Sequence, residues 1–349
     1  MPSLIVPEQS TRQKATAAIA KIEVKLYRPD DNTRWDAFVA RSKNATFMLQ
    51  RSYMDYHAHR FQDCSLIFSS DHDDIAALLP ANRDGDSVVS HGGLSYGGVL
   101  SDEGMTTPLM LRIFDAMLEF YRTQGLTKLL YKAIPHIYHS LPAEEDLYAL
   151  FRCGAKLVRR DVSSVVFPQR EQLLRHGVRL GVRRAKKLGV EGRISEDYRQ
   201  FWSVLQGALQ ARHGLLPVHT IDEITLLKAR FPQCIKLFGS FIGEKMLAGM
   251  VIYESTRVAH TQYIAATEAG KRVGALQLLT QWLLTEHYPG KECWDFGHSN
   301  EEGGWRLNEG LISNKEGYGG RAVVYDQYEI DLQALSGNPS AALFRRVSE

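Results

Sequence analysis

The chain has 349 residues, 44% hydrophobic and 23% charged, the composition of an ordinary globular protein with room for about two domains. A formal net charge of only +2 excludes a globally basic nucleic-acid binder, so any basic surface must be local. Four scattered cysteines, Cys64, Cys153, Cys234 and Cys293, form no CxxC and no zinc-like spacing, and read as buried thiols of a reducing compartment.

The N-terminus has no basic start followed by a long apolar run, and no window approaches the ~20 apolar residues of a membrane span. A cytoplasmic protein is expected, with contact at a membrane surface left open. Residues 1–20 and 336–349 read as poorly anchored tails.

Residues 21–27 alternate as a strand, and Asp31-Asn32-Thr33 opens a helix through Trp35, Phe38 and Val39. Residues 47–61 read as one helix with Tyr53, Tyr56, His57 and Arg60 on one face, a polar and aromatic stripe for a substrate or an ordinary amphipathic surface. Two apolar runs, 63–69 and 75–80, read as strand–turn–strand. The Gly-rich segment 90–98 contains His91 and Tyr96, either acceptor contacts or turn residues. A helix over 107–124, a strand over 126–131, a short acidic-capped helix from Glu144 and one or two strands over 155–167 complete a first half, 21–168.

The second half, 169–335, opens with a basic helix over 169–187 that carries Arg183 and Arg184. Such a face fits the phosphates of a nucleotide, a tRNA or a lipid carrier, or is simply a solvated linker. A short strand (190–195) and two helices (196–212 and 220–230) follow. Residues 234–242, 246–254 and 258–265 then read as an antiparallel meander. On its third strand His260 and Gln262 share a face. The turn through Lys271, Arg272, Gly274 and Ala275 opens a helix over 276–287 and offers free N–H groups to an anion. A strand ends at Trp294-Asp295-Phe296-Gly297, and a polar, Gly-rich stretch follows: His298 and Glu301, then Asn314-Lys315-Glu316-Gly317-Tyr318-Gly319-Gly320 before a last strand. Polar loops rich in glycine between apolar strands are where sites are built.

Meander, anion-receptive turn, helix, strand is the order of the second half of an acetyltransferase-type (GNAT) domain, and the first half is a looser version. Two such domains with a basic helix between them resemble the FemAB family of peptidoglycan-bridge aminoacyltransferases and their acetyltransferase-like relatives. The most specific matches are Trp294-Asp295-Phe296-Gly297 with Asn314–Gly320, and Arg183-Arg184-Ala185-Lys186-Lys187-Leu188-Gly189-Val190. Asn314 and Tyr318 stand where the family has aromatic residues, and residues 271–275 match the GNAT pyrophosphate loop only in half. The long helical-hairpin insertion that some bridge enzymes use for tRNA is missing between Lys187 and Phe231.

The resemblance implies an α/β fold of mixed sheets in two tandem GNAT-like domains. It implies an N-acyltransferase acting on an amine of a cell-envelope or surface-polysaccharide precursor, a small-molecule or lipid-linked sugar. Acyl-CoA is favoured as donor over aminoacyl-tRNA, and no metal is expected. It places Lys315, Asp295, His298 and Glu301 in catalytic roles, with Lys271, Arg272, Gly274 and Ala275 toward the cofactor. His91, Tyr96, Tyr53, His57, Arg60, Gln262, Tyr318, Gly319, Gly320, Arg183 and Arg184 fall toward the acceptor. The alternatives are an aminoacyl-tRNA-dependent transferase and a non-catalytic glycan- or nucleotide-sugar-binding module.

Overall fold

The computed structural model describes residues 22–334, apart from 71–73 and 172. The two expected tails lie outside the described residues.

In the first half come β1 (Glu23–Leu26), α1 (Asn32–Arg41), α2 (Arg51–Met54), β2 (Gln62–Asp63), β3 (Leu66–Ser69), β4 (Ile75–Leu79), β5 (Asn82–Asp84), β6 (Ser87–Val89), α3 (Thr107–Thr123), β7 (Lys128–Lys132), α4 (Glu145–Arg152) and β8 (Lys156–Val166). The second half holds α5 (His176–Lys187), β9 (Glu191–Ser195), α6 (Tyr198–His213), α7 (Ile221–Arg230), β10 (Ile235–Ile242), β11 (Lys245–Glu254), β12 (Val258–Ala266), α8 (Glu268–Val273) and α9 (Ala275–Trp282). It ends with β13 (Cys293–His298), β14 (Asn300–Glu301), β15 (Arg306–Leu307), α10 (Glu309–Glu316) and β16 (Arg321–Asp331).

One eleven-stranded mixed sheet runs through both halves in the order β2-β5-β6-β7-β16-β8-β13-β12-β11-β10-β9. The pairs β6/β7 and β12/β13 are parallel, and each is joined by a helical crossover, α3 in one half and α8–α9 in the other. The last strand, β16, lies between β7 and β8, with Gln327 opposite Lys132 and Val323 opposite Ser163. The halves meet along β8 and β13, where Asp295 faces Val165. This seam is buried on both faces, so polar groups set into it lose water and must find protein partners. A separate small sheet, β1-β3-β4, lies in the first half.

Most expected elements form where periodicity put them. Thr106, Asp197 and Thr220 cap α3, α6 and α7, and Thr220 with Glu223 closes a capping box. Four expectations are corrected. The single helix over 47–61 is three short pieces, interrupted where Gln50 is extended (φ −73°, ψ 147°) and kinked again at His57 (φ −123°, ψ 24°). Arg51, Tyr53, Met54 and His57 are all buried. Tyr56 still meets both Tyr53 (5.7 Å between ring centroids) and His57 (4.2 Å), so these three group as expected, but with Tyr53 and His57 buried rather than on an open helix face, and Arg60 turns to Glu223.

The basic helix begins at His176, not at 169, because the Arg175 N–H donates to the Gly317 carbonyl (2.8 Å) and holds the chain extended there. The turn before Ala275 is the six-residue helix α8, capped by Thr267. The loop expected around Lys315 is the end of α10, capped by the Asn308 side chain. The β5–β6 hairpin went unread because each of its strands has only three residues.

Candidate functional site

Strands β12 and β13 pair at only three positions: Val258–Cys293, Ala259–Trp294 and His260–Asp295. Beyond His260 the strands part, and that edge of β12 has no partner strand among the described residues, so its N–H groups are open. A β-bulge against β11 leaves Gln262 unpaired, which breaks the expected alternation with His260.

At the parting point sits Asp295, fully buried. Its Oδ1 accepts from the Ser163 hydroxyl and from the Gly297 N–H (2.9 Å). Its Oδ2 accepts from the hydroxyls of Tyr138 (2.9 Å) and Tyr325 (2.5 Å) and from His260 Nδ1 (2.9 Å). Burial alone would raise this carboxyl. The charge of His260 and the hydrogen bonds from His260, Ser163 and Tyr325 outweigh it and hold Asp295 well below the usual carboxylate range. Burial pushes the Tyr138 and Tyr325 phenols far up, so both stay protonated and able to donate. In the neutral imidazole, Nδ1 donating to the carboxylate leaves the lone pair on Nε2 of His260, the arrangement of a general base oriented by an acid. Gly297, at φ 74°, makes the sharp turn that brings its N–H back to Asp295.

Lys315 is buried on the last turn of α10, and its ammonium donates to the carbonyls of Gly297 (2.7 Å) and His298 (2.6 Å). Burial lowers it to about 8, against the opposing pull of Asp295. It therefore pins the end of β13 beside the carboxylate and keeps one N–H in reserve.

His298 lies against the Tyr325 ring (4.6 Å between centroids), with Nδ1 3.7 Å from Asp161, beyond hydrogen-bond reach. Burial lowers its pKa, and the charges of Asp161 and Asp295 oppose this. Glu301 is turned away, bonded to Arg306 and to Asn308 (2.8 Å), and braces the β14–β15 ribbon. Tyr318 is buried against Phe296, and burial pushes it up to about 12. Gly319 (φ 92°) turns the chain into β16, and Gly320 packs against the Lys315 carbonyl.

From the first half, Tyr96 reaches this cluster indirectly: its ring lies 4.8 Å from that of Tyr138. His91 and His57 are also buried, 5.5 Å apart, and burial lowers them to about 3 and about 4. Tyr53 packs in an aromatic cluster with Phe47, Phe231 and Tyr253 between the halves, and Arg60 pairs with Glu223.

An apolar groove of about 410 Å³ opens between α6, β12, the α8–α9 junction and α10, walled by Leu205, Leu209, Ile264, Leu276 and Leu311 with Lys271 and Asn314. Lys271 pairs with Glu268 (2.5 Å). Gly274 is left-handed at φ 84°, and a Cβ there would overlap the Gly181 carbonyl, so this glycine serves the packing of α5 on α9. Ala275 is buried behind it. Arg184 donates to the Arg272 carbonyl (2.8 Å), and Arg183 is exposed.

Sequence reasoning gave no role to Ser163, Tyr138 or Tyr325, and saw His260 only as one residue of a strand face. A hydroxyl pair, Ser163-Ser164, inside an apolar strand was the available signal.

No family model matches the chain, and no curated protein matches it. Solved structures match by fold. FemX superposes at a TM-score of 0.63 with 11% identity, over 93% of this chain and 100% of FemX. L-PGS of Bacillus licheniformis gives 0.59 at 14% identity, over 91% and 96% of the two chains. The C-terminal domain of a putative lysylphosphatidylglycerol synthetase from Agrobacterium fabrum gives 0.57 at 13%, over 89% and 96%. The chain thus shares the overall fold of FemX and of these two further structures, built around one eleven-stranded mixed sheet.

Proposed function

We propose that the chain is an N-acyltransferase in which His260, oriented by Asp295, is the general base. The observation that carries this is the Asp295–His260 pair at the point where β12 and β13 part. Nε2 of His260 takes a proton from the acceptor ammonium. The neutral amine attacks the acyl carbon, the nitrogen gives up a second proton as the tetrahedral intermediate collapses, and the bond to sulfur or oxygen breaks with the leaving group taking up a proton to depart as thiol or hydroxyl. Open N–H groups on the edge of β12 past His260 suit the developing oxyanion. Lys315 holds the Gly297–His298 turn in place beneath this centre and adds positive potential.

The donor we favour is an acyl-CoA, ahead of aminoacyl-tRNA. The groove suits a thioester arm: an apolar body with Lys271 and Leu276, at the first turn of α9, on its wall. The first amides of a helix have no intrahelical acceptor and favour an anion. When bound, the thioester supplies an activated carbonyl; the chain supplies the base, the oxyanion donors and the dry seam. The fold is shared with FemX and with a putative lysylphosphatidylglycerol synthetase, which supports acyl transfer to a cell-envelope component; the acceptor we favour is an amine of a cell-envelope or surface-polysaccharide precursor. Incubation with labelled acyl-CoAs of different chain length, or with charged tRNA, plus amino-sugar acceptors tests the reading. Product with a CoA donor supports it. Product with charged tRNA alone moves the donor to the alternative, and no product with either at high protein concentration refutes it.

A further inference from the structure

Helix α5 packs inward through Val178, Gly181, Val182 and Ala185. Its opposite side carries His176, Leu180, Arg183 and Lys187, which 100° steps place within one narrow stripe. Arg179, Arg184 and Lys186 flank the stripe. Between residues 175 and 187 there are six arginines and lysines and no acidic residue, so the rest of a chain with net charge +2 is acidic.

Elsewhere surface cations have partners, as in Arg122–Glu119, Arg160–Asp326, Arg193–Glu244 and Arg257–Glu292. Arg179, Arg183, Lys186 and Lys187 make no ion pair among the described residues. Among these charges stand exposed leucines: Leu180 at 43%, Leu188 at 50% and, just before the helix, Leu173 at 79%. The face borders the groove on two sides. Arg175 bonds to Ser313 of α10 (2.7 Å) and Arg184 to α8, and both helices contribute to the groove wall.

We propose that this face of α5 seats the protein on an anionic phospholipid bilayer, with the groove mouth held beside the membrane surface. A cationic face complements anionic headgroups, and interspersed leucines gain by entering the headgroup boundary. A single-stranded nucleic acid would call for aromatic rings on which bases stack, and this face has none. The binding is independent of acyl transfer, so it stands or falls apart from the catalytic reading.

The test is co-sedimentation of the full chain with phosphatidylcholine vesicles, with and without roughly a third of phosphatidylglycerol. Binding is expected only to the anionic vesicles, weakening as salt rises from about 0.1 to about 0.5 M. Arg183→Glu with Lys187→Glu, both exposed and outside the core, should weaken it on the order of 10²-fold. Leu180→Ser with Leu188→Ser should weaken it at unchanged charge, while Lys156→Glu, exposed at the start of β8 in the first half, should not. Equal binding to both vesicle types, or no binding to either, overturns the proposal. So does RNA that binds in the same salt range and displaces the vesicles completely, which would make the face a nucleic-acid surface.

Discussion

Replacing Asp295 with asparagine keeps the shape of the side chain and removes the charge that the seam is built around. Two donors point at Oδ1 and three at Oδ2. An amide offers one oxygen, so whichever way it flips, at least two donors meet an NH₂ group. Each buried donor left unsatisfied costs about 1–3 kcal/mol. Breaking a buried charged network costs about 3–5 kcal/mol in all, and hydroxyl rotation recovers part of it. Urea unfolding at neutral pH should therefore show Asp295→Asn destabilised by about 3–5 kcal/mol. Ser163→Ala, which removes one donor and leaves the carboxylate, should cost only about 1–2 kcal/mol. A loss below about 1 kcal/mol for Asp295→Asn would mean that the side chain is protonated and donating, and the dyad reasoning would fail.

Lys315→Met should cut acyl transfer by at least ~10-fold, since the Gly297–His298 turn loses both its ties; unchanged kinetics would make the lysine purely a packing element. Lys315 and Lys132 both titrate at about 8 in the folded chain, pushed down by burial, against ~10.4 unfolded. The unfolded state binds more protons above pH 8, so stability should rise between about pH 8 and 9.5. The rise should be shallower in Lys315→Met, and identical urea midpoints across that range in both proteins would contradict the assignment. Gly274→Ala places a side chain at φ 84° against the Gly181 carbonyl and should cost about 2–4 kcal/mol by thermal or urea unfolding. Glu301→Gln should leave turnover within about twofold, because that carboxylate braces a ribbon away from Asp295; a large loss would return it to the mechanism.

The architecture was legible because its long elements have clean periods: the meander of β10, β11 and β12, the capped helices α3 and α7, and the Asp295-Phe296-Gly297 strand end all read directly from apolar spacing and turn residues. What escaped was set by tertiary contact. Residues 309–316 hold Gly310, Ser313 and Asn314, weak helix formers, so α10 looked like loop until its Asn308 cap and the buried lysine were seen. Asp295 could be picked out at a strand end, but its five donors come from four elements and a turn separated by up to 157 positions, which no local pattern encodes. The two buried lysines show the same limit. Lys132 donates to the carbonyls of His91 (3.1 Å) and Leu94 (2.5 Å), as Lys315 does to those of Gly297 and His298, so each half ties a loop with a buried ammonium. In sequence Lys132 looks like an ordinary surface lysine, and Lys315 stands out only through its Gly-rich surroundings and the family resemblance.

The most direct measurement is the pH–rate profile of acyl transfer for the native chain beside His260→Ala. The account predicts that the native rate falls on the acid side, as general-base catalysis requires. It predicts that His260→Ala is at least ~10²-fold slower and loses that acid limb while keeping its fold by circular dichroism. A folded His260→Ala protein with the native rate and the native profile would contradict it.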